Sequence, residues 1–140
     1  MYFIDTNVFI RVLVKDNEKF FRECLSFLNL IKKDEIRAFT STLVLSEVEW
    51  VLDGFYKFEK QKVIEALDGI IKLKNLKIID KFDPQLALDI FQKNNVKFID
   101  ALISSNPQIF QMKIIIISYD KDFDKLNVKR KEPKDVLKGI

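Results

Sequence analysis

Four consecutive isoleucines, Ile114 to Ile117, stand between Lys113 and Ser118. A short, unbroken apolar run of β-branched residues predicts a strand buried on both faces, as in the middle of a parallel sheet. It is far too short to cross a bilayer. Parallel strands need crossover connections, and so a chain built around this run must alternate strands with helices. The rest of the sequence complies. Tyr2 to Ile4 reads as a first strand and Glu35 to Thr40 as a second. Leu76 to Ile79 reads as a third, and an edge strand opens near Val128. Amphipathic stretches lie between them: a first helix to Val14, then Glu18 to Lys33, a helix after Ser41 or Thr42, and Phe58 to Leu73. Further helices run from Asp83-Pro84 to about Asn94, from Phe98 to Ser105, and from Pro133 to Lys138. The expected fold is α/β: a three-layer α/β/α sandwich around a mostly parallel sheet of four to five strands, with residues 1–140 forming one domain.

Packing expectations follow from helical spacing. Val44, Val48, Val51, Leu52 and Phe55 share one face of their helix. Val63, Ile64, Leu67, Ile70 and Ile71 point inward from the next one. Trp50, Cys24 and most of the 13 phenylalanines are expected in the core. Pro107 either kinks the helix that begins at Phe98 or follows Asn106 as the cap of a new turn.

Composition narrows the chemistry. The chain has no histidine and one cysteine. That excludes a Ser-His-Asp triad, a Cys-His dyad, a His metal site, a Cys-based zinc site and an intrachain disulfide. Acid–base work is left to carboxylates, lysines or water on a metal. Against 24 basic residues stand 21 acidic ones, a balance that permits nucleic-acid binding without demanding it. The chain enters its first strand with no leader ahead of it, so a cytoplasmic protein is expected, with no membrane segment.

Four acids share a setting. Asp5 ends the first strand, with Thr6 or Asn7 near the cap of the helix that follows. Glu47 lies early in the helix after the second strand, flanked by Val44 and Val51 on its apolar side. Asp100 lies at a helix start between apolar residues, and Asp120 follows the isoleucine strand. Each alone is also an ordinary helix-start acid, placed against the positive end of the dipole. In a parallel sheet, however, strand ends and the following helix starts lie on one side. Carboxylates gathered there repel unless a cation compensates. Oxygen ligands suit Mg²⁺ or Mn²⁺, hard ions that activate water and stabilise charge on a phosphodiester. Asp122 is expected to cap the turn that holds Phe123, while Asp120 faces Asp5.

The stretches Phe3-Ile4-Asp5-Thr6-Asn7-Val8, Leu43-Val44-Leu45-Ser46-Glu47-Val48, Ile99-Asp100-Ala101-Leu102-Ile103 and Ile117-Ser118-Tyr119-Asp120-Lys121-Asp122-Phe123, in this order, resemble the PIN-domain family of metal-dependent ribonucleases, and within it VapC-like toxins of toxin–antitoxin pairs. The resemblance implies a metal-dependent endoribonuclease with one or two Mg²⁺ or Mn²⁺ ions on Asp5, Glu47, Asp100 and Asp120. It makes Asp122 an auxiliary acid and Thr6 and Ser118 nearby polar groups; the family often has Thr where Ser118 stands. It also implies a small antitoxin partner held in a groove between the early helices, and a homodimer. Arg11 and the basic run Lys129-Arg130-Lys131 are candidates for RNA phosphates. Two other readings use the same acids: an inactive PIN-like module that binds RNA or assembles with partners, and a Mg²⁺-dependent phosphoacceptor domain.

Overall fold

A computed structural model describes residues 1–140. Strand β1 is Tyr2–Ile4, β2 Ala38–Thr40, β3 Leu76–Ile78, β4 Ile115–Ile117 and β5 Arg130–Lys131. They form one sheet in the order β3-β2-β1-β4-β5, and every neighbouring pair is parallel. In register, Phe3 lies beside Phe39 on one side and Ile116 on the other, and Ile4 lies beside Ile117. The chain winds outward from β1 to β3, then returns to the other side of β1 for β4. The reversal therefore falls between β1 and β4, where open α/β sheets place a crevice beyond the strand ends.

The helices are α1 Thr6–Val14, α2 Glu18–Lys32, α3 Thr42–Trp50, α4 Lys60–Ile71, α5 Pro84–Lys93, α6 Phe98–Ser104, α7 Pro107–Phe110 and α8 Pro133–Lys138. Helices α1 to α4 pack among themselves, α5 to α7 form a second group, and α8 packs on α2. Right-handed crossovers put the first group on one face of the sheet and the second on the other, because the chain reverses direction between them. The expected three layers are present. Ile114, Ile116 and Ile117 are buried with Phe3, Ile4, Phe39 and Val8 in one continuous core. No helix is long and apolar enough to cross a membrane.

The caps explain most boundaries. Ser41, not Thr42, caps α3 by accepting from the Val44 N–H. Asp83 caps α5 ahead of Pro84. At Pro107 the chain starts anew: the Asn106 side chain accepts from the Gln108 and Ile109 N–H groups and opens α7, so α6 ends instead of kinking. Strand β2 begins only at Ala38, because α2 closes through a left-handed Asp34 and a Glu35 N–H bonded back to Leu30.

Several packing expectations are corrected. Helix α4 buries Val63, Ala66 and Ile70 at spacings of three and four. Ile64 and Ile71 stand one position further round, and both are exposed. Trp50 is 68% exposed and Phe55 72%. Trp50 stands two positions past the buried Val48 and so on the opposite face of regular α3. Phe55 is instead displaced by a break in the helical period: after Trp50 the backbone forms a π turn over Val51–Phe55, closed by Tyr56 N–H to Val51 O at 3.1 Å. The wider turn changes the phase of the helix, and the face defined by Val44, Val48 and Leu52 no longer includes Phe55.

Candidate active site

Asp5 occupies the N-cap position of α1, one residue ahead of the Thr6 or Asn7 expected there, yet its side chain caps nothing. Its N–H continues the sheet ladder to Ile117 O at 3.1 Å, and its carboxylate turns toward the end of β4. There Ser118 Oγ donates to Asp5 Oδ2 at 2.6 Å. The same Oγ accepts from Asn7 Nδ2 at 2.9 Å and from the Asp120 N–H at 3.0 Å. Asn7 Oδ1 accepts from the Tyr119 N–H at 3.1 Å. These bonds sew the β1–α1 junction to the segment after β4.

Asp120 opens a 3-10 turn over Lys121–Lys125, and its Oδ1 accepts from the Asp122 N–H at 2.9 Å. Asp120 shares the cleft with Asp5 as expected, but the capping role expected of Asp122 is corrected: Asp120 is the cap. Asp122 instead pairs with Lys125 at 3.0 Å. One carboxylate oxygen from each of Asp100, Asp120 and Asp122 lies within 4.8 Å of the others. Asp100, in the first turn of α6, is buried, and its Oδ2 has no hydrogen-bond partner. Glu47 is half-buried on α3. Asp5, Glu47, Asp100 and Asp120 all line one cleft of about 280 Å³, together with Thr6, Arg11, Trp50 and Lys97.

The electrostatics follow from this crowding. Burial raises the Asp5 carboxyl to about 6, with Glu47 and Asp120 adding to the shift and the Ser118 and Thr6 hydrogen bonds opposing it. Burial, then the Asp5 charge, raises Asp100 to about 7; Lys97 opposes, and Asp120 and Glu47 add. Lys97 is pulled down by burial, but Asp100, Glu47, Asp120 and Asp5 outweigh that and hold its ammonium above the usual lysine range.

The sequence pattern of the PIN domain matches residues 2–129. The chain belongs to the PIN-domain family. Two solved structures share its fold. One is the crystal structure of VapBC2 from Rickettsia felis bound to a DNA fragment from their promoter. That match has a TM-score of 0.64 and 23% identity, and it covers 94% of this chain and 97% of the other. The second is PAE2754 from Pyrobaculum aerophilum, with a TM-score of 0.67, 11% identity, and coverage of 99% of this chain and 93% of the other. No curated protein matches this PIN domain in sequence.

The donor set of this PIN domain fits a hard divalent cation. Every donor is a carboxylate oxygen, one of them is buried and unpaired, and burial, with neighbouring like charges adding to it, holds two of the acids protonated toward neutral pH. The basic candidates divide. Lys129 and Lys131 are exposed. Arg130 is not available to a substrate: its Nε and Nη2 each donate to the Asp124 carboxylate at 2.9 Å, and its Nη1 donates to Ser118 O at 2.9 Å. The inward face of the edge strand claims it, a correction to the expected basic patch. Arg11 lines the acid cleft but also pairs with Asp16 at 3.4 Å and lies over the Phe20 ring. Thr6 is buried, and its Oγ1 is unpartnered.

Sequence reasoning missed two residues. Asn7 was read as a cap, whereas it bridges two strand ends. Its position two residues past a strand-end acid was the available signal. Lys97, three residues before Asp100, is a cation just ahead of an acidic helix start, a pairing readable at that spacing.

Proposed function

We propose that this PIN domain is a Mg²⁺- or Mn²⁺-dependent endoribonuclease, acting as the toxin of a cytoplasmic toxin–antitoxin pair, with residues 1–140 as one catalytic domain. The observation that carries the reading is the convergence of Asp5, Glu47, Asp100 and Asp120 on one cleft, with a buried Asp100 oxygen left unpaired. These four acids would hold one or two ions, with Asp122 beside them. A bound Mg²⁺ or Mn²⁺ supplies Lewis acidity toward the phosphodiester and lowers the pKa of water. Around it, Ser118 fixes the orientation of Asp5, and Asp5 and Asp100 must release their protons before the site can load. Lys97 offsets the charge of a phosphate entering the cleft, and Arg11, Lys129 and Lys131 are left to draw the RNA backbone by charge.

The toxin reading draws on the Rickettsia felis VapBC2 structure and on a second feature of this chain. An apolar groove of about 210 Å³ runs between α1, α2 and α4, lined by Phe9, Val12, Leu13, Leu28, Ile70 and Leu73. Such a groove accepts the apolar face of a partner helix, here an antitoxin segment. A homodimer belongs to the same reading.

The test is RNA cleavage by purified protein. Cleavage should require Mn²⁺ or Mg²⁺, stop in EDTA, and fall by orders of magnitude in Asp100→Asn while the fold is kept. RNA binding without cleavage would favour a non-catalytic module. Phosphate uptake from a small phosphodonor would favour a phosphoacceptor.

A further inference from the structure

The acid cleft has an aromatic rim for which catalysis by carboxylates and a cation gives no reason. Trp50 is the only tryptophan of the chain. It ends α3, lines the cleft and stands 68% exposed, paired with no other ring. A large apolar ring left in water forgoes the stabilisation that burial would give it.

The π turn is part of the arrangement. It begins directly after Trp50, and Tyr56 follows it at the same cleft. The Tyr56 hydroxyl donates to Asp16 Oδ2 at 3.3 Å, and Asp16 Oδ1 accepts from Arg11 Nη1 at 3.4 Å. Arg11 in turn rests over Phe20, 4.6 Å from the ring centroid. Tyr56 and Arg11 are thus tied into one network on the cleft wall. Lys97 lines the same space. Cations, carboxylates and an open aromatic ring therefore meet within one cleft.

A single-stranded nucleic acid answers all three. Its phosphates meet the cations, a scissile phosphodiester meets the acid cluster, and an unpaired base presents a π-face to the ring. A duplex keeps its bases inside the stack and offers none. A protein contact is the poorer match, because the centres of protein interfaces are depleted of charge, whereas Trp50 shares its cleft with four acids and two cations. We propose that Trp50, with Tyr56 lining the same cleft, is a stacking platform for an unpaired base flanking the phosphodiester held at the acid cluster. The identity of the polymer rests on the ribonuclease reading; the stacking rests on the rim itself.

The lone tryptophan makes the test direct. A short single-stranded oligoribonucleotide is titrated into wild-type protein in EDTA, with binding followed by anisotropy of a label on the RNA and stacking by Trp50 fluorescence. Saturation should quench the fluorescence, and a duplex of the same sequence should not. With Mn²⁺, Trp50→Ala should raise KM for the single strand by about 5- to 150-fold with a smaller change in kcat, the range expected for loss of one stacked base. Trp50→Phe should restore most of the loss. The side chain is largely in solvent, so these variants keep the fold. An unchanged KM in Trp50→Ala, or bound RNA without quenching, overturns the platform and leaves the nuclease standing. Fluorescence that changes with protein concentration alone, in step with self-association, also overturns it by placing Trp50 between chains. Quenching by single strands with no cleavage under any divalent ion keeps the platform and overturns the nuclease.

Discussion

The hydroxyl of Ser118 has one proton and two lone pairs, and all three are used: the proton on Asp5, the lone pairs on Asn7 and on the Asp120 N–H. A buried carboxylate in this position would otherwise have little to orient it, since Asp5 makes no cap bond. Ser118→Ala removes the hydroxyl of this hub, leaving Asp5 with the longer Asn7 contact at 3.5 Å and the Thr6 bond, and taking an acceptor from Asn7 and from the Asp120 N–H. It should cost roughly 1–3 kcal/mol, because buried polar groups left unsatisfied carry their full desolvation penalty. It should also move the Asp5 titration further upward, since the Ser118 bond opposes the effect of burial. Urea unfolding of the metal-free protein measures the first effect, and the carboxyl resonance of Asp5 followed by NMR across pH measures the second. Ser118→Thr keeps the hydroxyl, so an equal loss of stability in both variants would mean that packing, not hydrogen bonding, is at work. Asp5, Glu47, Asp100 and Asp120 were legible in sequence because each sits at a strand end or in the early turns of a helix beside apolar residues, and they do line one cleft. Which of Asp120 and Asp122 caps the turn was not. Which of two acids caps a turn depends on the side-chain torsion of each, and spacing carries no information about that.

At the scale of elements, β5 is held by more than its two-residue ladder. Arg130 forks onto Asp124 of the 3-10 turn and reaches the carbonyl of Ser118, the residue just past the isoleucine strand. Its side chain is 12% exposed, whereas Asp124 lies largely in water. Arg130→Ala should therefore cost about 1–2 kcal/mol, the charge-assisted bonds being discounted for screening at the exposed carboxylate. Arg130→Lys keeps the charge but not the planar fork, and should recover little of the loss. If Arg130 instead served RNA phosphates, the loss would appear as a flatter dependence of RNA affinity on salt with stability unchanged. Comparing unfolding midpoints with salt titrations of RNA binding separates the two. The same element shows where sequence stops informing. The isoleucine strand announces itself because a doubly buried strand tolerates no polar residue. A basic edge strand reads identically whether its arginine points to water or back at its neighbours. The π turn after Trp50 was invisible for a related reason: helical periodicity assumes an unbroken 3.6-residue repeat, and Phe55 was assigned to the core on that assumption.

For the molecule as a whole, the acid cluster sets a dependence of stability on pH with a definite sign. Asp5 is raised to about 6 and Asp100 to about 7, from an ordinary value of 3.8. Between those limits the folded, metal-free chain holds protons that the unfolded chain has already released. Stability must then fall as pH rises through this window, with the full penalty in place once both carboxyls are ionised. The Asp124 carboxyl, held below its ordinary value by Arg130, acts in the opposite sense but only in more acidic solution. In EDTA the melting temperature should therefore decline from pH 4.5 to pH 8 by an amount that the double variant Asp5→Asn, Asp100→Asn removes. Adding Mn²⁺ should reverse the trend toward pH 8, where both acids have largely released their protons. An ion that binds only the folded state adds about 2.7 kcal/mol at a hundredfold excess over its Kd, and the double variant should show little of this gain. Melting curves across pH, with EDTA and with Mn²⁺, for both proteins provide the comparison. If the double variant declines with pH as steeply as the wild type, the penalty lies in groups other than these two. If it gains as much from Mn²⁺, the ion is held away from the cleft between β1 and β4.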